Sequence, residues 1–257
     1  GGIKSIHAIS EDSKLINPSH LGFLDPIHTP EGERTGISLT LPIGVSKKGN
    51  SLNSTFMDAK TGKKKALDPG EALTATVGFP DQYEFVGGKP KPRGKTVKAT
   101  VNGEIVNVDP KKVDYIIPSA RGIFSVSSNL IPFLQNNQGN RAMTAARQQE
   151  QAVPLDNREA PLVQVQTDGA NTFEQVLGKY ASRRSPVDGV IDRVKKDAIV
   201  IRKGKKKYEV QLYRNFPLQG QTLYDSTVKV KAGDRVKKGQ LIADSSFTKD
   251  GTLALGT

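Results

Sequence analysis

Apolar positions along the chain come in short runs broken by Gly, Pro, Asn and Lys, and the spacing within those runs changes character several times. Alternating or continuous β-favouring runs predict strands over 73–77, 96–101, 162–166, 187–194, 198–202 and 208–213. Two amphipathic segments, 125–134 and 140–153, flank the polar stretch 135–139 and predict a helix, loop, helix unit with Asn140 as an N-cap. Residues 1–45 hold more turns than regular elements, with tight loops at Asn17-Pro18-Ser19-His20 and Thr29-Pro30-Glu31-Gly32 around the short run 37–45. The expected fold class is mixed α and β, mainly β. It divides into a fork-like segment (1–45), an inserted small all-β appendage (46–110), the helix, loop, helix unit (111–165) and a β-rich barrel or sandwich (166–257). No internal repeat is visible.

Composition narrows the chemistry. With 38 Lys and Arg against 26 Asp and Glu, the net charge of +12 attracts polyanions through phosphate contacts and counterion release. Charge alone leaves a nucleic-acid partner and a merely soluble basic surface level with one another. The absence of cysteine removes disulfides, thiolate zinc sites and cysteine nucleophiles, and three scattered histidines leave little for a metal. No apolar run approaches the length of a membrane span. Gly1-Gly2-Ile3-Lys4 is unlike a signal peptide, and the missing initiator Met gives the expectation of a piece cut from a longer chain.

Three segments carry a family resemblance. The first is His20 to Ile37, containing Pro26-Ile27-His28-Thr29-Pro30-Glu31-Gly32 and Gly36. Pro30 stiffens this turn, Gly32 and Gly36 permit backbone geometry a Cβ would obstruct, and Glu31 places a carboxylate able to order neighbouring donors. By itself Thr-Pro-Glu-Gly is also the text of an ordinary turn. The second is Val126 to Leu134, Asn140-Arg141-Ala142-Met143, Gln151-Ala152-Val153-Pro154 and Glu159-Ala160-Pro161-Leu162-Val163, in that order. The third runs from Gly189 through 228–244 to Gly256. Together they resemble the beta-type, second-largest subunit of multi-subunit DNA-dependent RNA polymerases, over most of 1–45 and 113–257. The appendage between matches only in length and position. Ile3-Lys4-Ser5-Ile6-His7 stands where the family has an arginine-rich loop, and Glu33-Arg34 replaces Pro-Asn. These departures point to a divergent enzyme, phage-encoded or otherwise.

The resemblance implies roles the residue types can fill. Leu130, Ile131, Phe133 and Leu134 form an apolar patch, while Asn140, Arg141, Arg147 and Gln151 offer planar donors suited to phosphates and base or ribose edges. A lone helical Arg or Gln is ordinarily a solvated surface residue. The resemblance puts Arg141 opposite the incoming nucleotide's phosphates and Gln151 near the RNA 3′ region, with Asn140 beside them; Arg147 is not carried over. No catalytic residue and no metal ligand is expected in this piece. Mg2+ in the assembled enzyme is expected on the other large subunit, because no Asp-x-Asp-x-Asp cluster occurs here.

Implied partners are the largest, beta-prime-type subunit and the other polymerase subunits, template DNA, RNA product and nucleoside triphosphates, with no membrane. The implied location is cytoplasmic, at the nucleoid, if the enzyme is bacterial or phage-encoded. Arg121, Arg183 and Arg184 are weaker candidates. Lys63-Lys64-Lys65 and Lys205-Lys206-Lys207, each following a Gly, read as solvated hairpin tips rather than groove contacts. Two other classes stay open on the residues alone. A non-catalytic basic β-barrel RNA-binding protein fits the charge but lacks the stacking aromatics of such modules. A swinging-arm carrier fits 232–241 but lacks its modifiable-lysine tripeptide.

Overall fold

The structure is a computed structural model, and it describes residues 10–167, 169–218 and 222–255. It is mixed α and β with strands predominating. Compact packing divides the chain into two units, with the boundary between Glu150 and Gln151.

In the first unit the strands are β1 (Ser46–Lys48), β2 (Ser51–Asp58), β3 (Lys64–Leu67), β4 (Val77–Gly78), β5 (Tyr83–Val86), β6 (Lys89–Pro92), β7 (Val97–Val101), β8 (Glu104–Val108) and β9 (Tyr115–Ile116). The helices are α1 (Pro69–Thr74), α2 (Val126–Asn129) and α3 (Gly139–Glu150). Seven strands make one sheet in the order β1-β2-β9-β4-β7-β8, with β3 on β2, and β5 and β6 pair separately. Period-two alternation sends Phe56, Val97 and Ala99 inward, against Phe23, Leu67, Val113 and Ile116 in two adjoining apolar clusters. Asn102-Gly103 closes β7 onto β8 with φ of 50° and 83°, the left-handed pair a two-residue type I′ turn demands.

Two expectations change here. Residues 73–77 do not form a strand: the chain is helical to Thr74, and β4 begins at Val77. The cause is local, because Asp68 and Glu71 form a reciprocal capping box around Pro69 that nucleates α1. The appendage is therefore not all β. Its sheet also runs past 110, since β9 supplies the rung joining β2 to β4, in parallel with β4.

The second unit contains α4 (Phe173–Ala181) and strands β10 (Arg183–Arg184), β11 (Gly189–Val194), β12 (Ala198–Lys203), β13 (Lys206–Gln211), β14 (Phe216–Pro217), β15 (Leu223–Tyr224), β16 (Ser226–Val228), β17 (Arg235–Val236), β18 (Leu241–Ser245), β19 (Thr248–Lys249) and β20 (Thr252–Leu253). The described ladders are a four-stranded sheet, β13-β12-β11-β17, a three-stranded sheet, β10-β18-β16, and two short hairpins. Ile191, Ile199, Ile201 and Val236 from the first sheet meet Ile242 and Ala243 from the second in a common core.

The strands expected over 187–194, 198–202 and 208–213 are present as β11, β12 and β13, whereas 162–166 contributes only an isolated bridge from Gln166 to Thr172. Further along, residues 173–181 form α4, a helix that the apolar pattern did not predict. A capping box between Thr172 and Gln175 starts this helix, and buried Phe173 and Gly178 pack it down. Glu174, also buried, accepts the Val165 N–H through its carboxylate and fixes the preceding loop.

The units part at 150/151 rather than at 165 because different anchors act on either side. α3 packs on α2 in the first unit. In the second, Arg158 donates from Nε to the Thr248 carbonyl at 2.8 Å and from Nη2 to the Ser245 carbonyl at 2.7 Å, binding 151–159 to β18 and β19.

Candidate functional site

The Thr-Pro-Glu-Gly loop is closed by its own hydroxyls. Thr29 Oγ1 accepts the Gly36 N–H at 2.8 Å, and Thr35 Oγ1 lies 2.9 Å from the Pro30 carbonyl and 2.7 Å from that of Gly32. Gly36 has φ +76°, and a Cβ there would run into the carbonyl of Lys14, so this position excludes other residues on two counts. Thr29 is buried, Pro30 and Gly36 are half-buried, and Glu31 and Gly32 are exposed.

Three acidic or imidazole side chains then fasten this loop to the helical segment about a hundred residues away. Asp25 is fully buried. One of its oxygens accepts the N–H groups of Ile27 (2.8 Å) and His28 (3.1 Å), and the other accepts the Ser125 N–H (2.6 Å) and the Ser128 hydroxyl (2.7 Å). His28, also buried, sits between Ser125 Oγ (2.9 Å from Nδ1) and a Glu150 carboxylate oxygen (3.1 Å from Nε2). Glu31 accepts the Thr144 hydroxyl at 2.9 Å; the same hydroxyl is 3.1 Å from the Asn140 carbonyl.

The Ser125, His28, Glu150 string has the residue types of a nucleophile relay, but its geometry is that of a brace. Ser125 is 3% exposed, caps α2 and shares its oxygen with His28 and Ser128, so no substrate can reach it. Asn129 adds a second brace, its amide pointing at the carbonyls of Arg121, Phe124 and Ser125.

On α3, Ala142 and Ala146 are buried, four residues apart, and their small side chains let the helix lie close to its support. Asn140 and Arg141 face solvent, and the Arg141 guanidinium makes no hydrogen bond or ion pair with any described residue. Asn140 is not the N-cap, because the helix already includes Gly139 and Ala142 N–H bonds to the Gln138 carbonyl. Gln151 is exposed as the first residue of the second unit, whereas Asn140 and Arg141 belong to the first.

The expected apolar patch separates. Leu130 and Ile131 are packed away, and Phe133 is 65% exposed with φ 53°, a left-handed conformation costly for a bulky side chain. The helix expected over 125–134 is correspondingly broken, α2 ending at Asn129.

Arg183 and Arg184 are used structurally. Arg183 lies over the rings of Tyr213 (4.9 Å) and Tyr224 (5.8 Å), and Arg184 donates to the Gly239 carbonyl at 3.0 Å. The lysine runs do follow hairpin-tip glycines, but Lys65 donates to the Tyr115 hydroxyl and Lys207 to Asp192. Among the described residues no three His, Asp or Glu side chains converge as a metal would require, and no helix is long and apolar enough to cross a membrane.

The sequence reading singled out Glu31 and missed Asp25, His28, Ser125, Ser128, Thr144 and Glu150. Asp25-Pro26 and Ser125, with Ser128 three residues on, carry local turn and cap signals. Nothing in the text pairs them across a hundred residues.

Comparison with known proteins agrees along the chain. A family model described as RNA polymerase Rpb2, domain 3, matches residues 4–44, which include the Thr-Pro-Glu-Gly loop. Proteins called DNA-directed RNA polymerase subunit beta are similar over nearly the whole chain. That of Mesomycoplasma hyopneumoniae is 33% identical over 250 residues, 94% of this chain and 20% of the relative. That of Caldicellulosiruptor bescii has the same identity and coverage, and that of Thermus aquaticus is 29% identical over 253 residues, 95% of this chain and 22% of the relative. The chain thus spans about a fifth of the length of the curated relatives it matches.

Proposed function

The chain belongs to the beta-subunit family of DNA-directed RNA polymerases, and from that premise we propose that it positions the incoming nucleotide, the RNA 3′ end and the RNA–DNA hybrid during template-directed RNA synthesis. The observation that carries this reading is the mounting of α3. Glu31 holds Thr144, one turn beyond Arg141, and Asp25 and His28 lock the same loop to α2 and to the far end of α3. A helix held at its middle and at its C-terminal end keeps the backbone that carries this exposed arginine in one place. That matters because a transferring phosphoryl group is stabilised by donors already aimed at it.

In this proposal Arg141 meets the triphosphate of the bound nucleotide with its planar fork of donors, Asn140 supports it from the same turn, and Gln151 hydrogen-bonds near the RNA 3′ end. The second unit begins the barrel lobe that cradles the hybrid. This chain supplies positioning and charge neutralisation. Mg2+ would supply Lewis-acid assistance to nucleotidyl transfer, and the residues that would hold it are those of the beta-prime-type subunit. The remaining partners are the other polymerase subunits, template DNA and the RNA product, in the cytoplasm at the nucleoid if the enzyme is bacterial or phage-encoded.

The test is primer extension by the polymerase reconstituted with this chain, with nucleotide titrated at fixed salt. Arg141→Ala is expected to lower kcat/KM for nucleotide addition roughly 10-fold or more, the scale of one lost charge-assisted contact, with elongation-complex stability kept. Gln151→Ala is expected to lower kcat at saturating nucleotide and leave KM unchanged. Unaltered nucleotide dependence in Arg141→Ala would show that residue to be a solvated helix position and would defeat the assignment.

A further inference from the structure

The four-stranded sheet of the second unit buries one face in its core and exposes the other, and the exposed face carries an unbalanced charge. Val190 pairs with Arg235 on one side and with Arg202 on the other, and Arg202 pairs with Lys207. Paired residues share a face, so three cations stand in a row across the sheet, spanning three strand spacings or roughly 14 Å. Like charges directly opposite one another on a ladder destabilise it.

At one end of the row this is offset by Asp192, 3.1 Å from Lys207 and 3.6 Å from Arg202. The Lys207 hydrogen bond holds the Asp192 carboxyl below the usual carboxylate range. At the other end Arg235, with neighbouring Lys203 and Lys237, makes no side-chain ion pair with any described residue. With Arg202 these line an open groove of about 530 Å3.

Two further polar side chains line the groove, and each accepts a backbone N–H through one oxygen. Asp188, its one carboxylate, accepts the Lys238 N–H at 2.8 Å, and Gln240 accepts the Lys237 N–H at 3.0 Å. No aromatic ring lines the groove, and its apolar side chains are Val190 and the buried Val236. Such a lining lacks stacking platforms for bases and apolar anchors for a peptide, and Gln240 is its one side-chain amide. What it can offer is a line of cations.

We propose that this groove binds the phosphodiester backbone of a nucleic-acid strand without regard to sequence, through Lys203, Arg235 and Lys237. The choice of nucleic acid as the polyanion rests on the polymerase reading. Whether the strand is RNA, template DNA or non-template DNA is decided by the arms of the test.

The experiment uses the reconstituted polymerase on a defined elongation scaffold. The triple variant Lys203→Gln, Arg235→Gln, Lys237→Gln removes three exposed charges and keeps their stems. The plot of log affinity for the scaffold against log salt is expected to flatten by about 2 to 3, at roughly 0.7 to 0.9 per lost phosphate contact. Nucleotide addition at low salt is expected to match wild type.

Because these 257 residues include no cysteine, Lys203→Cys, labelled with an aryl-azide crosslinker before reconstitution, gives one attachment point within this chain. Labelling each strand in turn then identifies the one bound. An unchanged salt slope overturns the proposal, and crosslinking to polypeptide alone replaces it with an acidic protein contact. A wild-type reconstitution that extends no primer overturns the polymerase reading and this proposal with it, an outcome distinguishable from an active enzyme with an unchanged slope.

Discussion

Asp25 accepts four hydrogen bonds from a position with no solvent exposure, and its removal would strand all four donors in the interior. Asp25→Ala is expected to destabilise the first unit by on the order of 3 kcal/mol, read as a lower urea midpoint for that unit's transition. Glu31 is a different case, because it is exposed and acts through Thr144. If it positions α3, Glu31→Ala should lower kcat/KM for nucleotide addition several-fold, and Glu31→Gln, which keeps an acceptor oxygen, should restore most of it. Equal losses in both variants would point instead to a charge effect. The two residues also differ in how far a sequence discloses them. Glu31 sits in a motif of unusual composition, whereas the importance of Asp25 lies in Ser125 and Ser128, whose distance from it in the chain hides the pairing.

Elements divide by whether their cause is local. The capping boxes of α1 and α4 are written in four consecutive residues each, Asp68 to Glu71 and Thr172 to Gln175, and that of α1 overrides the β-favouring text beside it. Thr172→Ala should cost about 1 kcal/mol by removing the cap. The loss should appear as a lower melting temperature of the second unit, with the first unit's transition unmoved. Strands are less local. Residues 198–203 and 206–211 find each other across a two-residue turn and form the ladder their pattern predicts. Residues 162–166 have equally good alternation but pair with no strand among the described residues, so the chain bends at Leu162 and Val163 and keeps a single bridge at Gln166. A strand is completed by its partner's hydrogen bonds, and a partner is a tertiary fact.

At the scale of the whole molecule, buried charge is kept by the donors gathered around it from distant segments. Burial pushes the Asp244 carboxyl up, but the Gly251 N–H, the Thr248 hydroxyl, the Asp250 N–H and the Lys229 ammonium outweigh it and hold its pKa below the usual carboxylate range. A depressed folded-state pKa contributes stability that is complete above the unfolded value of about 3.9 and is lost as pH falls through the folded value. The second unit should therefore weaken in acid. Asp244→Asn should lower its urea midpoint at pH 7 and flatten the decline below pH of about 4; an unaltered acid limb would exclude Asp244 as its source.

By itself the sequence determined the family, the predominance of β structure, the hairpins around Gly62 and Gly204 and the position of α3, because motif text, alternation and turn chemistry are local or nearly so. Only the tertiary structure decided that the chain parts after Glu150, that Ser125 and His28 brace rather than react, and that Arg235 and Lys203 remain uncompensated while Lys207 is paired. Those outcomes depend on which side chains meet across distant segments and which are cut off from water, and spacing along one strand of text carries no record of either.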